Sequence, residues 1–123
     1  MKIVIKNKSD VPIYEQIKEE IRNAILSGEA VENEQLPSIR QLARDLKISV
    51  ITNTRAMTDL VDEGFLVSVA GKGYFVAPRN NELMRERVLG HIEACFEDAI
   101  ESADSIGLSE DELVTILKNM QKQ

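Results

Sequence analysis

Ile13, Ile17, Ile21 and Ile25 stand one every four positions with charged residues between them, the spacing of one face of an α-helix. Ser27-Gly28 ends the pattern, so a first helix is predicted over about 12–27, with Asp10 able to cap it and Pro12 in its first turn. Upstream, "MKIVIKNKSD" opens with a short alternating apolar piece that suits an edge strand or an arm. Downstream, "GEAVENEQLP" is polar and reads as a connecting loop. Ser38 and Gln41 then have capping-box spacing directly after Pro37, and Ile39, Leu42, Ala43 and Leu46 form a helical stripe. A short second helix over about 38–46 follows, with a turn at Lys47-Ile48 and Ser49 placed to cap a third segment.

That third segment is ambiguous by composition. Ile48-Ser49-Val50-Ile51-Thr52 is rich in β-branched residues, which favour strands. The alternation a strand requires does not persist beyond a few residues. At 100° per residue, Asn53, Ala56, Met57, Leu60 and Gly64 fall on one side of a helix running from Val50 to Glu63. Ile51, Thr54, Arg55, Thr58 and Asp62 fall on the other. Periodicity favours a helix with an apolar, β-branched first turn.

"FLVSVAGKGYFVAP" after Gly64 has the form of a hairpin, two apolar runs joined by a glycine-containing loop. The tail returns to helical spacing at Met84, Val88, Ile92, Cys95, Phe96, Ala99, Ile100 and Ala103. Gly107 interrupts it, and Ser109 with Glu112 opens a last helix whose apolar side holds Leu113, Ile116, Leu117 and Met120. Two such helices cannot build a core alone and must pack on the first domain or on another subunit. The fold class expected is α+β: a winged helix-turn-helix over 1–79, made of three helices and a hairpin wing, and a two-helix dimerisation tail over 80–123.

Charge first argues against, then for, a nucleic-acid partner. The net charge is −6, while phosphate neutralisation needs Lys and Arg. The excess acid lies in the tail, however, and within 36–58 Arg40, Arg44, Lys47 and Arg55 face Asp45 alone. One cysteine excludes an internal disulfide and suits a reducing, cytoplasmic setting; no apolar run is long enough for a membrane span.

Taken in order, "PIYEQIKEEIRNAILSG", "LPSIRQLARDLKIS", "RAMTDLVDEGFL" and "GKGYFVAP" resemble the GntR family of bacterial transcription regulators, most of all its YtrA-like subfamily with a short two-helix tail. The resemblance implies a homodimer bound to a pseudo-palindromic double-stranded DNA operator, usually as a repressor, with a small-molecule effector in some members. It also implies that the third helix enters the major groove. Four positions depart from the family pattern: Val50 and Thr54 replace frequent basic residues, Asn53 an apolar one, and Lys47 a glycine.

The candidate DNA-contacting residues follow from both lines. Ser49 and Thr52 stand beside free backbone N–H groups at a helix start, a phosphate site. Arg55 projects outward and can reach a guanine edge or a phosphate, while Val50 and Ile51 suit thymine methyl groups and Thr54 lies on the same outer side. Arg40 matches the family position that grips DNA, with Ser38 adjacent to it, and Gly71 and Lys72 resemble its wing-tip contact with the minor groove or backbone. Arg44 and Lys47 read as an ordinary solvated face. For dimerisation the candidates are Val88, Ile92, Cys95, Phe96, Ala99, Ile100, Leu113, Ile116 and Leu117. His91 and Cys95 share a helix face, but with no other His or Cys the expectation is an interface histidine and a buried thiol rather than a metal site. No catalytic constellation and no cofactor motif is present. A winged helix that docks a protein and never touches DNA is the alternative from another class, favoured by the overall acidity.

Overall fold

The computed structural model describes residues 3–6 and 9–122. Five helices and one hairpin follow in the order expected: α1 (Ile13–Ser27), α2 (Ile39–Leu46), α3 (Val50–Asp62), β1 (Leu66–Val69), β2 (Gly73–Val76), α4 (Glu82–Ser105) and α5 (Glu110–Gln121). They divide into two compact units, Met1–Glu86 and Arg87–Gln123. The division falls inside α4 rather than at the expected 79/80. Its first turn belongs to the winged unit because Met84 is buried and Asn81 donates from Nδ2 to the Gly64 carbonyl (2.8 Å). Asn81 Oδ1 also accepts from the Met84 N–H (2.9 Å).

Ile17, Ile21 and Ile25 of α1, Leu42 of α2, and Ala56, Met57 and Leu60 of α3 form the core of the winged unit with Phe65, Leu66 and Val76. The predicted inner face of α3 is buried throughout, and Ile51, Thr54, Arg55, Thr58 and Asp62 are all exposed. The β-branched start of α3 is therefore helical. Ser49 accepts from the Thr52 N–H (3.0 Å) and nucleates the helix that composition alone would have made a strand.

Three expectations need correction. Pro12, not Asp10, is the N-cap of α1, and no side chain caps that end. Of the anticipated N-terminal strand, residues 1, 2, 7 and 8 lie outside the described residues, and Ile3 to Lys6 are not strand. Instead the Gln16 amide clasps the Lys6 backbone, accepting from its N–H (2.7 Å) and donating to its carbonyl (3.0 Å). The polar connector is also more than a loop. Its Asn33 and Leu36 N–H groups donate to the carbonyls of Val76 and Tyr74 (both 2.9 Å), and Val76 N–H donates to Glu34. This segment backs β2, while β1 pairs antiparallel on the other side, Leu66 opposite Val76 and Val69 opposite Gly73.

A charged cluster that the helical pattern hid joins α1 to α3. Lys18 is only 6% exposed, and its Nζ lies 2.8 Å from Glu63, 3.2 Å from Asp59 and 3.5 Å from Glu15. Arg22 meets the other Glu63 oxygen at 2.9 Å, with its guanidinium 5.7 Å from the Phe65 ring centre. Burial alone pushes the Lys18 ammonium down. The hydrogen bonds to Glu63 and Asp59, with the charges of Glu63 and Glu15, outweigh it and hold the pKa above the ordinary 10.5.

In the second unit the predicted stripe forms, but little of it is covered. Ala103 is its buried apolar residue; Ile92, Phe96, Ile100, Ile116 and Leu117 are between 40% and 51% exposed, and α5 buries none of its residues. Val88 and Leu113 are half-buried, and Ala99 and Cys95 are exposed. Gly107 turns the chain at φ 70°, and Ser109 with Glu112 forms a complete capping box at α5.

Candidate nucleic-acid interface

Two capped helix starts shape the site. Ser38 Oγ accepts from the Gln41 N–H (3.1 Å) and begins α2, so Arg40 emerges in its first turn, exposed. At the other end of α2 the backbone of Lys47 is left-handed (φ 56°), and its N–H returns to the Ala43 carbonyl. That reversal leads directly into Ser49 and α3. Lys47 thus occupies a conformation that glycine adopts without penalty and a side chain does not.

The start of α3 presents what the sequence suggested. Val50 is 47% and Ile51 81% exposed, although both are large and apolar. Their N–H groups belong to the first turn, which has no intrahelical acceptors and attracts anions. Ser49 Oγ and Thr52 Oγ1 are 2.7 Å apart, so the two hydroxyls hold each other at this end. Thr54 donates its hydroxyl to the Val50 carbonyl (2.9 Å), which leaves its methyl group as the outward feature suited to a groove.

Arg40, Ala43, Arg44 and Val50 line one open depression between α2 and α3. Arg44, which the sequence alone assigned to a solvated face, is therefore brought beside Arg40 and the first residue of α3. Neither arginine forms an ion pair among the described residues. The signal that would have found Arg44 is its i+4 relation to Arg40 on α2.

Arg55 is differently placed from the free cation expected. Its guanidinium carbon sits 3.8 Å from the ring centre of Tyr14, and its Nη2 donates to the Tyr14 hydroxyl (3.0 Å). Tyr14 lies in the first turn of α1, remote in sequence, and no local motif announced the pairing.

At the wing, residues 70–72 form the turn between β1 and β2. Gly71 has φ 75° with open space around it, and the Lys72 N–H closes the turn on Val69 O (3.0 Å). Gln35 donates from Nε2 to the Lys72 carbonyl (2.7 Å), so the connector braces the wing tip, and the Lys72 side chain remains exposed. His91 and Cys95 are both exposed, with Sγ 3.6 Å from Nε2; the thiol is not buried as expected. No group of three His, Cys, Asp or Glu side chains able to hold a metal ion occurs among the described residues.

Residues 13–76 match the family described as bacterial regulatory proteins, gntR family. The transcriptional repressor NagR of Bacillus subtilis is 40% identical over 73 residues, 59% of this chain and 30% of its own length. The chain thus spans about a third of the curated relatives of that kind. The structure of YtrA from Sulfolobus acidocaldarius, described as a GntR-family transcription factor, superposes with a TM-score of 0.63 at 31% identity, covering 98% of this chain and 97% of that one. The DNA-binding domain of AraR, solved in complex with operator ORE1, superposes at 34% identity and TM-score 0.53 over 63% of this chain and 94% of its own. With the family matched from the start of α1 through β2 and a relative matched almost end to end, this chain belongs to the gntR family of bacterial regulatory proteins.

Proposed function

We propose that this protein is a sequence-specific DNA-binding transcription regulator, a repressor that grips a pseudo-palindromic operator as a homodimer. One observation supports it above the others. The first turn of α3 exposes Val50 and Ile51, with Val50 beside Arg40 and Arg44, an apolar tip flanked by two cations that suits a thymine-bearing groove bordered by phosphates. The likeness to a domain solved in complex with an operator supports a DNA partner; a winged helix would then place α3 in the major groove and the wing-tip residues Gly71 and Lys72 against the backbone.

Dimerisation follows from the tail. Its exposed apolar residues, Ile92, Phe96, Ile100, Ile116 and Leu117, suit a second copy of the same surface. Joining two half-sites raises affinity through effective concentration, which a winged unit with no excess of positive charge needs. Such a regulator works in the bacterial cytoplasm, where Cys95 stays reduced.

The test is a titration of the full chain against DNA from its own upstream region at several salt concentrations, with wild type and Arg40→Ala. The expected result is salt-dependent wild-type binding, weakened more than tenfold by Arg40→Ala at an unchanged melting temperature. Wild-type affinity in the variant would remove Arg40 from the site. No salt-dependent DNA binding at all would transfer the surface to a protein partner.

A further inference from the structure

The Arg55–Tyr14 pair asks what an exposed recognition-helix arginine gains by resting against a tyrosine of another helix. A free arginine carries rotamer entropy that a DNA contact must quench. A guanidinium held 3.8 Å from a ring centre and hydrogen-bonded at 3.0 Å has lost part of that freedom before DNA arrives. The cation–π contact and one N–H engage Tyr14, leaving the remaining N–H donors of the guanidinium for an oxygen acceptor.

The direction matters as much as the restraint. Arg55 stands one turn after Ile51 on the outer stripe of α3, a position from which an unrestrained side chain could extend along the exposed start of the helix. Tyr14 instead ties the guanidinium to the first turn of α1, at the side of the recognition helix. At the flank of a groove-bound helix the acceptors are phosphate oxygens.

We propose that Tyr14 is the positioning residue for Arg55, and that it commits this arginine to a backbone phosphate beside the groove rather than to a guanine edge. This rests on the DNA-binding reading above and deepens it. Base discrimination then falls to Val50, Ile51 and Thr54, while Tyr14 affects affinity without touching sequence preference.

The experiment begins by selecting ligands for the full wild-type chain from random DNA. If no motif emerges, the DNA-binding reading fails, and this proposal with it. With a motif in hand, Arg55→Ala, Tyr14→Leu, Tyr14→Phe and the Tyr14→Leu/Arg55→Ala double variant are titrated across salt concentrations and reselected. Arg55→Ala is expected to bind about tenfold more weakly and to lower the log–log salt slope by about 1. Tyr14→Leu should lose roughly three- to tenfold, and the double variant should match Arg55→Ala within about twofold. Tyr14→Phe keeps the ring and should lose about two- to threefold in the wild-type background and nothing in Arg55→Ala. If Tyr14→Leu does not fold, this Tyr14→Phe contrast decides alone. All folded variants should select the same motif. A motif altered at any base in Arg55→Ala, a folded Tyr14→Leu with wild-type affinity, a Tyr14→Phe without effect, or Tyr14 effects that add in full to those of Arg55→Ala would each overturn the proposal.

Discussion

The winged unit and the tail are written with the same amphipathic periodicity, yet their apolar residues meet different fates. In α1 and α3 the stripe closes on partners in the same unit, and Ile17, Ile21, Met57 and Leu60 have no exposed surface. In α4 and α5 an equally regular stripe leaves Phe96 49% and Ile100 51% exposed. Periodicity says which residues want burial; it does not say which surface will provide it. A unit whose stripe closes internally depends on its own core, and one whose stripe stays open depends on a partner.

The most severe test of that contrast charges the open stripe. Phe96→Asp with Ile100→Asp should turn a dimer into a monomer by sedimentation velocity, raising the dissociation constant more than a hundredfold, while the winged unit's melting transition hardly moves. A variant that stays dimeric would deny the tail its role.

Next come two changes inside the closed unit, which should unfold it and spare subunit contacts. A Cβ on Gly64 would stand 2.6 Å from Leu83 Cβ and 2.7 Å from the Met84 nitrogen, at φ 87°. Gly64→Ala should therefore cost about 2–4 kcal/mol in denaturant unfolding. Lys18→Met should cost about 2–4 kcal/mol, because it strips Glu63 and Asp59 of a cation shared by α1 and α3.

The Lys18 cluster also has a pH signature. Its folded pKa is raised, so its contribution to stability is fully present below the unfolded value near 10.5 and disappears as pH climbs through the folded one. The gap between wild type and Lys18→Met should stay constant up to about pH 10 and narrow above it. A gap that holds at strongly alkaline pH would contradict the assignment. The smallest expected effect is a gain. Lys47→Gly should stabilise the winged unit by about 1 kcal/mol by relieving the left-handed backbone at the end of α2.

Most of the fold was legible in advance because local signals agreed with one another. Ser38, Ser49 and Ser109 each cap the helix that spacing predicted, and the hairpin turns at the glycines. The candidate interface was legible to the same extent. Arg40, Ser49, Val50, Ile51 and Thr54 are where helix phase puts them. Arg44 was undervalued because its neighbour Val50 belongs to a different helix. Tyr14 was invisible because its partner Arg55 lies 41 residues away. Nothing local singles out Lys18, because helix phase records the facing direction of a side chain but not the carboxylates waiting there.

The sequence by itself determined the helices, the inner faces of α1 and α3, the turn that starts α3 and the family, since each rests on interactions within a few residues or on a string of motifs. Only the tertiary structure decided the long-range pairs: Arg55 laid on Tyr14, Lys18 buried among acids, and the connector braced against the wing. Such pairs depend on how two elements are juxtaposed, and that juxtaposition is set by the packing of the whole core rather than by the residues that meet across it.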